Sequence, residues 1–124
     1  MIKVLLPIKT VSVMNTREHH QARARRAKTH RQTAFVMLKA EGQPPAPPLT
    51  VRMTRIGFGT LDDDNIRSAG KAARDGIADW LGLDDGDLRI TWQYAQQKAP
   101  RGQYGLIVEV APTAAQPSLL GAAK

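Results

Sequence analysis

The chain contains no cysteine, which excludes disulfide scaffolds, thiolate zinc sites and cysteine nucleophiles together, and makes a reducing cytoplasm the expected compartment. Long apolar runs are also missing. The opening stretch from Ile2 to Leu6 is interrupted by Lys3 and closed by Pro7, too short for the apolar part of a signal peptide or for a membrane span, so no membrane partner is expected. No glycine-rich phosphate loop is present, since Gly57-Phe58-Gly59 is too short to act as one. Histidine is scarce and badly spaced for metal: His19 and His20 point about 100° apart on a helix, and His30 has no partner at ligand spacing. Nothing supports a serine triad, and no internal repeat is visible.

What remains is 124 residues, 42% of them hydrophobic, enough for one domain with one modest core. Residues 1–111 read as that domain, and the Ala-, Pro- and Ser-rich residues 112–124 as a flexible tail. The net charge of +7 is concentrated. Arg17, Arg23, Arg25, Arg26, Lys28, Arg31 and Lys39 stand against Glu18 alone. Such a cluster lets phosphates displace condensed counterions, so Arg17, Arg23, Arg25, Arg26, Lys28 and Arg31 are candidate DNA contacts. The alternatives are a solvated helix face or a docking surface for an acidic protein.

The apolar, β-branched residues 2–6 predict a strand. The Ala, Arg, Lys and Gln content of residues 16–40, with Asn15 and Thr16 as caps, predicts a long basic helix. Its apolar positions Ala34, Phe35 and Leu38 come late, so the second half is expected to pack and the first to project. Residues 42–48 hold four prolines and form a stiff connector. A strand over 49–56 follows. Ile66, Ala69, Ala73, Ile77 and Trp80 then recur at helical spacing up to Gly82, giving a second helix over 65–81. Strands over 88–94 and 104–110, joined through Pro100-Arg101-Gly102, are expected to pair as an antiparallel hairpin. Trp80, Trp92 and Tyr94 fall on apolar stripes as core, and Tyr104 is placed to stack on DNA. The fold class is α+β: a small mixed sheet of about four strands with two helices, in the order β-α-β-α-β-β.

One segment runs against the basic background. Asp62, Asp63 and Asp64 stand where strand or turn gives way to helix, and carboxylate oxygens leaving an extended segment together suit a hard cation such as magnesium. The competing reading is helix capping, for which Asp is a favoured residue. On the helix, Lys71 lies seven residues after Asp64 and close to the same side, where it is either a phosphate partner or an ordinary solvated lysine.

The run Asp62-x-Asp64-Asn65, then Lys71-x-x-x-Asp75, then Leu83-Asp84-Asp85 resembles the signature of the RusA family of Holliday junction resolvases. The likeness covers residues 49–110, including the preceding strand, the intervening helix and a turn near Lys98 to Gly102. It implies a homodimeric, magnesium-dependent hydrolase, with manganese as a substitute ion. Such an endonuclease acts on branched DNA in recombination and repair, and the kind is common in phages and prophages. Asp62, Asp64 and Asp85 would then be the catalytic, metal-holding carboxylates and Lys71 the catalytic lysine. The lysine stands about one helical turn beyond its place in the family pattern, where this chain has Ser68, and so sits about 5 Å farther along the axis. A non-cleaving nucleic-acid-binding protein with the same fold is the alternative that this departure leaves.

Helix geometry adds a constraint. An unbroken helix over 65–81 spans about 25 Å, of which the residues to Asp85 recover about half. Asp62, Asp64 and Asp85 then meet only if the helix breaks near Gly70 or Gly76, or if Asp85 joins a site across a dimer; the second is the expectation.

Overall fold

Alternation along residues 49–57 places Leu49, Val51 and Met53 on one side of a strand, and all three are fully buried. In the computed structural model, which describes residues 1–10 and 20–113, that strand is the middle of the fold. Along the described chain lie β1 (Ile2–Leu6), α1 (His20–Glu41), β2 (Leu49–Gly57), α2 (Asp63–Leu81), β3 (Ile90–Lys98) and β4 (Gly105–Pro112). This is the expected α+β class, a mixed four-stranded sheet with two helices. The cap residues Asn15 and Thr16, Arg17, His19 and residues 114–124 of the expected tail lie outside the described residues.

The sheet order is β1-β4-β2-β3. β4 runs antiparallel to both β1 and β2, while β2 and β3 are parallel, with Leu49 opposite Ile90. The expected β3–β4 hairpin therefore does not form. A helix between two strands favours a parallel return, and α2 delivers β3 alongside β2. The chain then crosses the end of β2 to reach its other side. Two strand spacings are about 9.6 Å, and residues 99–104 easily cover that. The predicted turn is real, closed by Gln103 N–H donating to the Pro100 carbonyl at 3.0 Å, but it joins strands that flank a third. β4 also runs through Pro112, opposite Leu49, and Thr113 N–H donates to the Pro48 carbonyl at 3.0 Å, so the tail begins later than expected.

Both helices cover one face of the sheet. Val4 and Leu6 from β1, Val51 and Met53 from β2, and Leu106, Val108 and Val110 from β4 meet Ala34 and Leu38 of α1 and Ala73, Ile77 and Trp80 of α2. As expected, α1 buries only its second half, through His30, Ala34 and Leu38. Leu88 departs from the predicted alternation: it precedes β3 and is fully exposed. No helix among the described residues is long and apolar enough to cross a membrane.

α2 is continuous through Gly70 and Gly76, so the break considered at those positions does not occur. Both are buried contact points instead. A Cβ on Gly76 would collide with the Arg31 carbonyl of α1 and lie 3.0 Å from the Ala34 Cβ, whereas one on Gly70 would meet the flexible end of Met53 at 3.3 Å. α2 then stops at Gly82, whose left-handed backbone (φ 70°) lets its N–H reach the carbonyls of Ala78 and Asp79.

Two substitutions separate packing from helix propensity. Gly76→Ala is expected to destabilise the fold by about 1–3 kcal/mol, because overpacking outweighs a propensity gain of about 1 kcal/mol. Gly70→Ala is expected to be neutral or stabilising. Urea midpoints of the two variants check this, and equal midpoints would contradict the assigned contact.

Candidate functional site

β1, β2 and β3 all point one way, so their carboxyl ends share one edge of the sheet. Folds with parallel strands gather ligands at that edge, where loops are free to vary. α1 and α2 lie side by side in the same direction: Arg23 and Arg26 share a groove with Ser68 and Lys71, and Trp80 Nε1 donates to the Gly42 carbonyl at 3.1 Å near their far ends. The basic half of α1 is thereby placed beside the first turns of α2, at the edge that carries the acidic segment.

Asp62 caps α2. Its backbone is extended and its Oδ1 accepts the Asn65 N–H at 2.9 Å, so the capping reading holds for this residue. Capping uses one oxygen and leaves Oδ2 for other work. Asp63 and Asp64 follow in the first turn and are exposed, and the Asp64 side chain makes no hydrogen bond or ion pair among the described residues. Two carboxylates two residues apart, open to solvent, fit the donor set of magnesium, which commonly takes one or two protein carboxylates and completes its shell with water and substrate oxygens.

Lys71 and Asp85 come together, but away from that pair. Lys71 Nζ donates to Asp75 at 2.8 Å and to Asp85 at 2.9 Å. Arg74 Nε lies 3.2 Å from the same Asp85 carboxylate, as an ion pair whose N–H is not aligned for a hydrogen bond. The Asp85 carbonyl accepts from Arg74 Nη2 at 3.1 Å and Trp92 Nε1 at 2.9 Å, and the Arg74 guanidinium stacks 4.3 Å from the Trp92 ring. The loop after α2 is thus fixed to the middle of the helix and to β3. Hydrogen bonds to Asp75 and Asp85 raise the Lys71 pKa, and the bond from Lys71 holds Asp85 below the usual carboxylate range. Lys71 is largely exposed, so water screens these pairs and each contributes at most about 1 kcal/mol. Lys71 stands about 10 Å along the axis from Asp64. Among the described residues no three His, Cys, Asp or Glu side chains gather to hold a metal. Asp62, Asp64 and Asp85 are therefore not assembled into one site within the chain.

The basic helix is used unevenly. Arg23, Arg25 and Lys28 are exposed, and Arg26 is partly buried at the groove. Arg31 is committed elsewhere: its Nε and Nη2 grip Asp79 at 2.7 and 2.9 Å, which raises the arginine pKa and lowers that of the aspartate. It ties α1 to α2 instead of standing open to a phosphate. Arg17 lies outside the described residues. Sequence reasoning missed Arg55, which is buried at the edge end of β2. Its signal was present, because Arg55 continues the inward series Leu49, Val51, Met53 with a cation.

His30 sits in the floor of the α1–α2 groove, where burial, followed by the nearby Arg26 charge, lowers its pKa from the ordinary 6.5. The unfolded chain therefore binds the proton first on acidification. The stability linked to His30 is full above pH 6.5 and declines as the pH falls through the lower folded value. Urea midpoints at neutral pH and near pH 5 should differ less in His30→Gln than in the unaltered protein; an identical pH dependence would contradict this.

No protein-family model matches this chain, and no curated protein is significantly similar to it.

Proposed function

We propose that the protein is a magnesium-dependent, structure-specific endonuclease that acts on branched DNA, in the manner of the RusA-like resolvases its motifs resemble. The observation that carries this reading is that Arg23 and Arg26 of α1 share a groove with Ser68 and Lys71, one to two turns along α2 from the exposed Asp62 and Asp64 carboxylates. A cation-binding pair next to a phosphate-binding helix is what phosphodiester hydrolysis requires.

In this reading Asp62 and Asp64 hold the ion. When bound, magnesium supplies activation of the attacking water and stabilisation of the leaving oxygen. Arg23, Arg25 and Lys28 neutralise backbone phosphates and fix the register of the duplex arm without reading sequence. Lys71 presents a positive charge one groove wall away, and Asp85 positions it. The homodimer that the motif resemblance implies is the route by which a third carboxylate, Asp85 of a second copy, reaches the Asp62–Asp64 pair, because unbroken α2 keeps the two groups apart within one chain.

The alternative, a binding protein without cleavage, draws on one specific observation. Both Lys71 and Asp85 are satisfied by each other and by Asp75 and Arg74, which is the pattern of a structural lock.

Asp64→Asn removes a ligand charge while keeping shape, and is expected to abolish magnesium-dependent cutting of a labelled four-way junction while gel-shift affinity in chelator is unchanged. Cutting at the unaltered rate would sink the metal assignment. Replacing Arg23, Arg25 and Lys28 by Ala should flatten the slope of log affinity against log salt by about 0.9 per lost phosphate contact. An unchanged slope would clear α1 of any role in binding.

A further inference from the structure

A second cleft opens at the same edge, between the ends of β1 and β2 and the turn that leads into β4. Lys9, Thr10, Arg55, Phe58, Arg101 and Tyr104 line it, around a volume of about 250 Å³. Among the described residues its charge is of one sign: three cations and no carboxylate line it. Phe58 and Tyr104 are more than half exposed, and Arg101 stacks 4.3 Å from the Phe58 ring.

Arg55 makes this a built cleft. It is only 9% exposed, yet no carboxylate pairs with it among the described residues. Its Nη1 and Nη2 donate to the carbonyls of Gly59 and Phe58 at 3.3 and 3.4 Å, both long, and its buried Nε has no partner among the described residues. The buried hydroxyl of Thr10 beside it also lacks one. Gly57 makes room for the guanidinium, since a Cβ there would lie 2.8 Å from Nη2. Burying a cation without a counter-ion is costly, and the inward position on β2 would be filled more cheaply by an apolar side chain, as it is at Met53. Folding does not explain Arg55, whereas an anion that arrives from outside does.

We infer that this cleft binds the phosphate of a nucleotide within a single strand of nucleic acid, with Arg55 and Lys9 on the phosphate and the base stacked on Tyr104. The guanidinium fork matches phosphate oxygens, and an exposed tyrosine face beside it suits an unpaired base, which a duplex does not present. The volume lies below the roughly 300–1,000 Å³ of pockets that enclose a whole drug-sized ligand, so one phosphate and part of its sugar fit while the base remains at the mouth. Only residues 58–61 separate β2 from the Asp62 cap, so a strand held here passes beside the acidic turn. The inference does not depend on cleavage.

Fluorescence anisotropy with a short labelled oligodeoxythymidylate, in chelator so that nothing is cut, tests it. Arg55→Met should lose about tenfold in affinity, with a urea midpoint equal to or above that of the unaltered protein. Tyr104→Ala, an exposed position, should also weaken binding and carries the test if Arg55→Met does not fold. In competition, thymidine monophosphate should displace the strand at lower concentration than inorganic phosphate. Unaltered affinity in the variant tested, no binding by the unaltered protein, or equal competition by the two anions would each overturn the inference.

Discussion

The contact between α1 and α2 at Gly76 governs where everything else in the molecule stands. Because Gly76 has no side chain, the Arg31 carbonyl and Ala34 of α1 sit directly on α2. Larger residues there would push the helices apart. With that contact made, Arg31 reaches Asp79, Trp80 reaches Gly42, and the basic half of α1 runs beside the first turns of α2. The charge segregation of the sequence thus becomes a spatial arrangement: cations on one helix, carboxylates at the start of the next, both at the carboxyl edge of three parallel strands.

The ion pairs divide the charged residues by purpose. Arg31 with Asp79, Lys71 with Asp75 and Asp85, and Arg89 with Asp87 are mutually satisfied; the Arg89 hydrogen bonds pull Asp87 down to about 2. These pairs hold elements in place. The carboxylates of the α2 first turn and the guanidinium of Arg55 stand outside this set, with donors and acceptors left over at one edge. Polar groups with spare capacity at a shared edge are what binding and chemistry need, and fully paired ones are what a fold needs.

Much of this was legible in the sequence. The 3.6-residue recurrence from Ile66 to Trp80 gave α2 its length and its buried face, and Gly82 its end. The late apolar positions of α1 correctly showed which half packs. Strand pairing was not legible, because the alternation in β3 and β4 fits either neighbour; α2 decided it by returning the chain parallel to β2. The relation of Lys71 to Asp85 was only half legible. Helix rise shows that Asp85 cannot reach Asp64, but not that the loop folds back onto Lys71, which rests on Arg74 and Trp92 holding the Asp85 carbonyl. Arg55 was visible as a break in an apolar series, and only the fold reveals that no carboxylate among the described residues answers it.

We propose, as the central point, that this edge hydrolyses phosphodiester bonds in branched DNA with a divalent cation. Incubating the purified protein with end-labelled four-way, Y-shaped and linear duplex DNA, with magnesium or with chelator, tests it most directly. Cutting of branched substrates in magnesium alone, with linear duplex left intact, is the predicted result. Intact junctions in magnesium, despite retained binding, would contradict it and leave a nucleic-acid-binding protein that does not cut.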